Sequence, residues 1–492
     1  MSLTESIYAA IAARIDSGAL ETGARLPSIR RAALEFEVSK NTVVEAYDRL
    51  VAAGLVSARR GYGFTVADRY RQLASERSQW LAEAVDIASL LSAQLEENFE
   101  IRVGDGRPPA SWTEESELQR HLGRFKLPSR SREDGYGSAL GFPGLRDRLA
   151  TACQERGIQA GRAQILLTFG ANHALDLIIR RLLLPGDTVL VDDPGYYPLV
   201  AKLKLAQLRM VGVRRLANGP DIADLARKAE RERPKIFFTQ SLAHNPTGGS
   251  TDLPTAHALL TLAAQHDFLV VEDDPFLDLP TVEGTVLAEL DQLQRVIHVG
   301  TFSKTLSASL RCGWVAGRED LIASLAELKM LTSVNSSSYV ERLVHGLLAE
   351  GHYRRHLKRL GQRVRRATDA VAGHLARHGF RTLAPPGGGY YVYLLLPEGV
   401  DDIALARRAA AEGIFVAPGS VFAIDKKAAP AGRCGSAERS LRRCTTSCAG
   451  AWPSTRSKSA ITPIRTAAPA ASPSRACCWR PPARGAWSSR SA

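Results

Sequence analysis

Residues 296–317, VIHVGTFSKTLSASLRCGWVAG, decide how the rest of the chain is read. An apolar, β-rich run (Val296, Ile297, Val299) feeds a loop of small residues holding Lys304, and Arg311 follows seven residues later, ahead of Trp314 and Val315. The pattern puts a lysine amine at the end of a strand with a guanidinium close by. Alone it is weak, because a lysine is usually a solvated surface charge.

Working outward, further strand-like runs lie at 165–169, 188–191, 235–240 and 268–272, with the run 295–299 after them. Helix-length segments separate them, as a mainly parallel α/β sheet requires. Polar features sit just after these runs, where open α/β sheets place ligands. Gly170-Ala171-Asn172 follow ILLTF and open a helical pattern whose first amides suit a phosphate. Pro194-Gly195-Tyr196-Tyr197 follow VLVDD and offer an aromatic face; His244-Asn245-Pro246-Thr247-Gly248 follow IFFTQ and present an amide; Asp273-Asp274-Pro275-Phe276 follow FLVVE. Singly, Asn245 reads as a turn former, Asp273 as a cap, Tyr196 as core and Arg311 as a surface ion pair. As a set they are a phosphate cradle, ring stacker, amide, carboxylate, amine and arginine, which fits pyridoxal 5′-phosphate. The lysine amine makes the Schiff base, and the carboxylate keeps the pyridine nitrogen protonated so that the ring acts as an electron sink.

The segments YGSALGFPGLRDRLA, GANHALDLI, HNPTG, VVEDDPF and TFSKTLSASLRCGW occur in the order found in fold type I aminotransferases, which the body resembles from about residue 99 to about 425. The resemblance implies that Lys304 is the internal aldimine lysine and Asp273 the pyridinium partner. By the same resemblance Asn245 bonds the phenolic oxygen and Tyr196 stacks on the ring. Gly170, Ala171, Thr301, Ser303 and Arg311 then bind the phosphate, and Tyr136 reaches a neighbouring subunit's site. One departure stands out: many aminotransferases carry tyrosine where this chain has Phe276, so a hydroxyl is missing.

The first residues have a different texture. Ile7, Tyr8, Ile11 and Ile15 recur at helical spacing, Pro27-Ser28 start a second helix with Ile29, Ala32, Ala33 and Phe36 inward, and Ser39 caps a third at 40–53. That helix puts Val43, Val44, Tyr47, Leu50 and Val51 on its buried face. LVSARRGYGFTVA alternates around Arg59-Arg60-Gly61 as a hairpin with a basic tip. The segment LPSIRRAALEFEVSKNTVVEAYDRLVAAGLVSARRGYGFTV resembles the winged helix-turn-helix of GntR-family regulators, which implies that Arg30, Ser39, Lys40, Asn41, Thr42, Arg60 and Gly61 face double-stranded DNA.

The chain is therefore read as multi-domain. An α+β winged helix-turn-helix (1–68) and a linker (69–97) precede an α/β fold type I aminotransferase-like domain with an incomplete small domain (98–430), and a tail (431–492) follows. The fusion resembles the MocR (GabR-type) regulators. That resemblance implies a pyridoxal-phosphate-dependent, DNA-binding regulator that senses a small amine or amino acid and forms a head-to-tail homodimer. The alternative is a true aminotransferase carrying a DNA-binding head.

Overall charge does not support the DNA reading. The net charge is +13, but the tail holds eleven Lys or Arg against one acid, Glu438, and so carries ten of those charges. Five of the seven cysteines also fall in the tail, leaving Cys153 and Cys312 in a body that suits a reducing, cytoplasmic compartment. No run is long and apolar enough for a membrane, and no metal site is read, because the Cys444-x-x-x-Cys448 spacing has no partner pair or histidine beside it. A disordered basic tail is one reading of 431–492; a frameshifted end of the gene is the one favoured. The codons of Arg433, Cys434, Gly435, Ser436 and Ala437, read from the third base of the first, permit Leu-Arg-Leu-Ser, the strand whose arginine grips a substrate carboxylate in the family. No residue is assigned that role.

Overall fold

The computed structural model describes residues 3–16, 19–20, 23–59, 63–67, 99, 101–104, 106, 108–113, 121, 137–397 and 399–424. The linker 69–97, the tail 431–492, Arg60, Gly61 and Tyr136 lie outside the described residues.

The N-terminal residues form α1 (Leu3–Asp16), α2 (Ile29–Glu35) and α3 (Lys40–Ala52), followed by the antiparallel hairpin of β1 (Val56–Arg59) and β2 (Gly63–Val66), with Val56 opposite Val66. Ser28 and Ser39 accept bonds from the Arg31 and Thr42 amides and so satisfy the open starts of α2 and α3. Ile7, Ile11, Leu26, Ala32, Val43, Tyr47 and Leu50 close the core, and the Tyr47 hydroxyl donates to the Pro27 carbonyl at 3.0 Å. Val51, expected inward, is 37% exposed. Eight residues beyond Val43 the helix has turned about 80° past it, and Ala46 fills the stripe instead.

In the body, β3 (Ile101–Arg102) is followed by β4 (Ile165–Thr168), β5 (Thr188–Asp193), β6 (Arg209–Leu216), β7 (Gly219–Pro220), β8 (Ile236–Thr239), β9 (Leu269–Asp274), β10 (Val296–Thr301) and β11 (Gly313–Ala316). The last eight make one sheet in the order β4-β11-β10-β9-β8-β5-β6-β7. From β10 through β6 all neighbours are parallel, as expected, but β11 runs antiparallel to both β10 and β4. The lysine loop turns straight back into β11, and Arg311, just before that strand, reaches the Phe169 carbonyl at the end of β4. Side chains alternate between two buried clusters, Leu167, Phe237 and Val270 on one face and Leu166, Phe238 and Val271 on the other.

A 26-residue helix, His352–Arg377, leads into smaller pieces: β12 (Arg381–Thr382) paired with β13 (Leu394–Leu395), the helix Asp402–Ala411, and β14 (Ile414–Phe415) parallel to β3. Among the described residues no helix is long and apolar enough to cross a membrane, and no group of three or more metal-ligating side chains occurs.

Candidate functional site

The C-terminal ends of β4, β5, β8, β9 and β10 bring the sequence candidates together. Gly170, at φ 84°, caps the helix Ala171–Leu182, whose first amides precede any intrahelical acceptor. The Arg311 Nη2 donates to the Phe169 carbonyl at 2.9 Å, and a Cβ on Gly170 would stand 3.0 Å from that same nitrogen. Gly313 is equally constrained, since a Cβ there would lie 2.7 Å from Gly170 Cα. The two glycines let β4 and β11 approach closely enough to set the guanidinium beside the helix start. Thr301 and Ser303 complete this corner: the Thr301 hydroxyl donates to Ser303 Oγ at 3.0 Å and accepts from the Ser303 amide at 3.2 Å.

At the end of β9, Asp273 is buried, and its Oδ2 accepts from Gln240 Nε2 at 2.7 Å. Its Oδ1 has no partner. Burial pushes the carboxyl up to about 6, against the Gln240 bond and the charges of His298 and Lys304. Gln240 also accepts from the Asn245 amide at 2.8 Å, so one side chain fixes both the carboxylate and the turn that carries Asn245. Asp192, Tyr196, Gln240, His244 and Asp273 line one small cavity beneath the strand ends, and neither Lys304 nor Arg311 is among its lining residues.

Asp274, beside Asp273, is buried with Oδ2 unpartnered, and burial pushes its carboxyl up to about 8. Both acids are raised above an unfolded value of about 3.9. Their contribution to stability is therefore complete below about 4 and is lost as pH rises through about 6 and then about 8. In the cofactor-free chain Asp274→Asn is expected to flatten the fall of Tm across the upper part of that window, measured by thermal unfolding against pH.

Lys304 Nζ donates to the Gly106 carbonyl at 3.0 Å and lies 6.0 Å from the centre of the Tyr391 ring. Its loop is held by groups the sequence did not single out. The Tyr390 hydroxyl donates to the Lys304 carbonyl at 2.8 Å, and His356 Nε2 donates to the Thr305 carbonyl at 2.6 Å. Thr305 Oγ1 bonds the Tyr353 hydroxyl, which donates to Asp278, itself paired with Arg156. Phe276 is fully buried against the Tyr390 and Tyr391 rings, so the place of the missing hydroxyl is filled by aromatic packing.

A second unanticipated group lies beneath Tyr196. Arg215, from β6, is 2% exposed and pairs with Asp192 at 3.2 Å, while Asp192 Oδ2 accepts from Thr239 Oγ1 at 2.7 Å and stands 3.4 Å from His244 Nε2. The Arg215 and His244 neighbours hold the Asp192 carboxyl at about 2 despite burial, and His244 is pushed down to about 4 chiefly by burial, then by the Arg215 charge.

These residues fit pyridoxal 5′-phosphate. The unpartnered Asp273 Oδ1 is a buried acceptor that a protonated ring nitrogen would satisfy, and the Gly170–Arg311 corner is the kind of small, donor-rich cradle a phosphate fills. In the head, Arg30, Ser39, Lys40 and Asn41 are exposed and Thr42 half-exposed at the start of α3. Ser39 and Thr42 hydroxyls bond each other at 2.8 Å, which commits them partly to the cap.

A mainly parallel sheet with one antiparallel strand, a strand-end lysine, a carboxylate and a glycine-arginine corner is the architecture of the aminotransferases. The aminotransferase class I and II family model matches residues 102–447, and the chain belongs to that family. Residues 3–66 match the bacterial regulatory proteins of the gntR family, so the chain joins the two parts in the manner of MocR-type regulators. The HTH-type transcriptional regulator YdfD of Bacillus subtilis is 29% identical over 431 residues, covering 84% of this chain and 88% of that protein. NorG of Staphylococcus aureus, also named an HTH-type transcriptional regulator, is 24% identical over 82% of this chain and 93% of its own length. The Pyrococcus horikoshii kynurenine aminotransferase superposes with a TM-score of 0.64 at 26% identity, over 69% of this chain and 86% of that one.

Proposed function

We propose that this protein is a DNA-binding transcriptional regulator whose aminotransferase-like body holds pyridoxal 5′-phosphate on Lys304 and senses a small amine or amino acid. The observation that carries the reading is one chain holding both a capped, exposed α3 start and the Lys304–Asp273–Arg311 site. Bound there, the cofactor supplies an aldehyde that condenses with primary amines. Arg311, Thr301, Ser303 and the Gly170–Ala171 helix start would hold its phosphate, Asp273 its ring nitrogen, Asn245 its phenolic oxygen and Tyr196 its ring face. The similarity to regulators over most of their length favours control of transcription over steady turnover. The same similarity favours a cytoplasmic, head-to-tail homodimer.

The test separates the two halves. Lys304→Ala is expected to abolish the visible absorbance band formed on adding pyridoxal 5′-phosphate. Lys40→Ala is expected to leave that band intact while weakening DNA retention across promoter sequences and lowering the salt slope by about 1. Retention unaffected by Lys40→Ala and by Arg30→Ala would remove the α3 start from the interface. The complete cofactor set also supports a second reading, a true aminotransferase with an attached DNA-binding head. Steady conversion of an amino donor with a keto acid would favour that one.

A further inference from the structure

We infer that Tyr391 supplies the hydroxyl that Phe276 lacks, donating to the phenolic oxygen of the ring held at Lys304. The inference rests on the cofactor reading above and extends it to a residue outside the strand-end motifs.

The geometry begins with an exchange of roles within one aromatic cluster. Phe276 follows β9 and is fully buried, with the rings of Tyr390 and Tyr391 edge-on to it at 5.0 and 5.5 Å. Phenylalanine there can fill space but cannot donate. Its two tyrosine neighbours come from the glycine-rich segment 387–391, and they differ in what their hydroxyls do. Tyr390 is committed, donating to the Lys304 carbonyl at 2.8 Å. Tyr391 takes no hydrogen-bond partner for its hydroxyl among the described residues.

Tyr391 also stands beside the lysine that would hold the ring. The Lys304 amine is 6.0 Å from its ring centre, and a Cβ on Gly106, whose carbonyl accepts from that amine, would lie 2.6 Å from Tyr391 Cε1. Its backbone is fixed as well, since a Cβ on Gly248, in the turn that carries Asn245, would meet the Tyr391 carbonyl at 2.4 Å. Burial, and then the neighbouring Tyr196 and Asp273, push its phenol well above the usual range. A phenol that stays protonated is a donor, and the half-buried Tyr391 hydroxyl keeps its proton for an acceptor placed beside Lys304.

A hydrogen bond to a charged oxygen stabilises the deprotonated form of the bound chromophore and lowers the pH at which its spectrum changes. The experiment is a pH titration of the visible band of the full-length protein loaded with pyridoxal 5′-phosphate. Tyr391→Phe is expected to raise the midpoint by about one to two pH units. The double variant Phe276→Tyr/Tyr391→Phe, which returns a hydroxyl to the cluster from the other side, is expected to bring it back toward the wild-type value. Tyr393→Phe, whose phenol instead neighbours Asp402 and Asp193, is expected to leave it unchanged. A loaded Tyr391→Phe protein with the wild-type midpoint overturns the inference and leaves the cofactor reading standing. No band in the wild-type chain overturns both.

Discussion

Asp273→Asn is expected to weaken pyridoxal 5′-phosphate binding by roughly a hundredfold or more, the size of effect that follows breaking a buried charge pair. The reason lies in the hydrogen bonds around it. Gln240 donates its amide nitrogen to Asp273 Oδ2 at 2.7 Å while its own oxygen is taken by the Asn245 amide at 2.8 Å. Gln240 therefore cannot turn over to present an acceptor. An asparagine at 273 must give its oxygen to Gln240 and turn its amide group toward the unpartnered Oδ1 position. A donor then faces the ring nitrogen, which can bind only unprotonated, and both the charge pairing and the electron-sink character are lost. Titration of the visible band with added cofactor measures the affinity, with Lys304→Ala as the variant in which no band forms. Wild-type affinity in Asp273→Asn would show that the carboxylate does not meet the ring.

How much of this was legible in the sequence follows from where each residue sits. Lys304, Asp273, Tyr196 and Gly170 each stand just after an apolar run, and a parallel sheet gathers the ends of its strands, so linear order translated into a site. Ser39 was legible for a local reason: a cap involves residues three apart. Arg215 was not, because the arginines of RMVGVRRL break up its apolar residues and β6 is not among the strand-like runs read from the sequence. Only the pairing of β5 with β6, which sets Asp192 opposite Val213, brings its side chain under the sheet end. Gln240 was visible as the last residue of its run but had no partner to give it meaning until β8 and β9 lay side by side. His356, Tyr353 and Tyr390 reach the lysine loop from helix and loop positions 48 or more residues away in sequence, a distance no periodicity spans. Phe276 stood out in the sequence as a departure from the tyrosine of many aminotransferases; that two tyrosines pack against it required the fold.

Arg215→Met is expected to cost about 3–5 kcal/mol of stability, because it leaves Asp192 buried and charged without its partner. The guanidinium is enclosed, with Nη1 3.2 Å from Asp192 Oδ2 and 3.2 Å from Thr239 Oγ1, and Nη2 3.3 Å from Thr251 Oγ1. Without it Asp192 keeps the Thr239 hydroxyl, the Gln240 amide at 3.3 Å and His244, which is neutral at ordinary pH. The wild-type carboxyl is held at about 2, below its unfolded value, so its contribution is present above about 4 and is lost as pH falls through about 2. The variant should lose it at higher pH, making acid unfolding earlier as well as deeper. Removing both charges is a different experiment: Asp192→Leu/Arg215→Met leaves no uncompensated ion and should recover part of the loss, since the penalty lies in the unpaired group rather than in the absence of the pair. Denaturant unfolding at neutral pH compares the three proteins, and a single variant as stable as wild type would show that the pair holds little. Cofactor affinity should fall in Arg215→Met too, because Asp192 anchors Thr239 and the Gln240 amide, and Gln240 is the residue that aims Asp273.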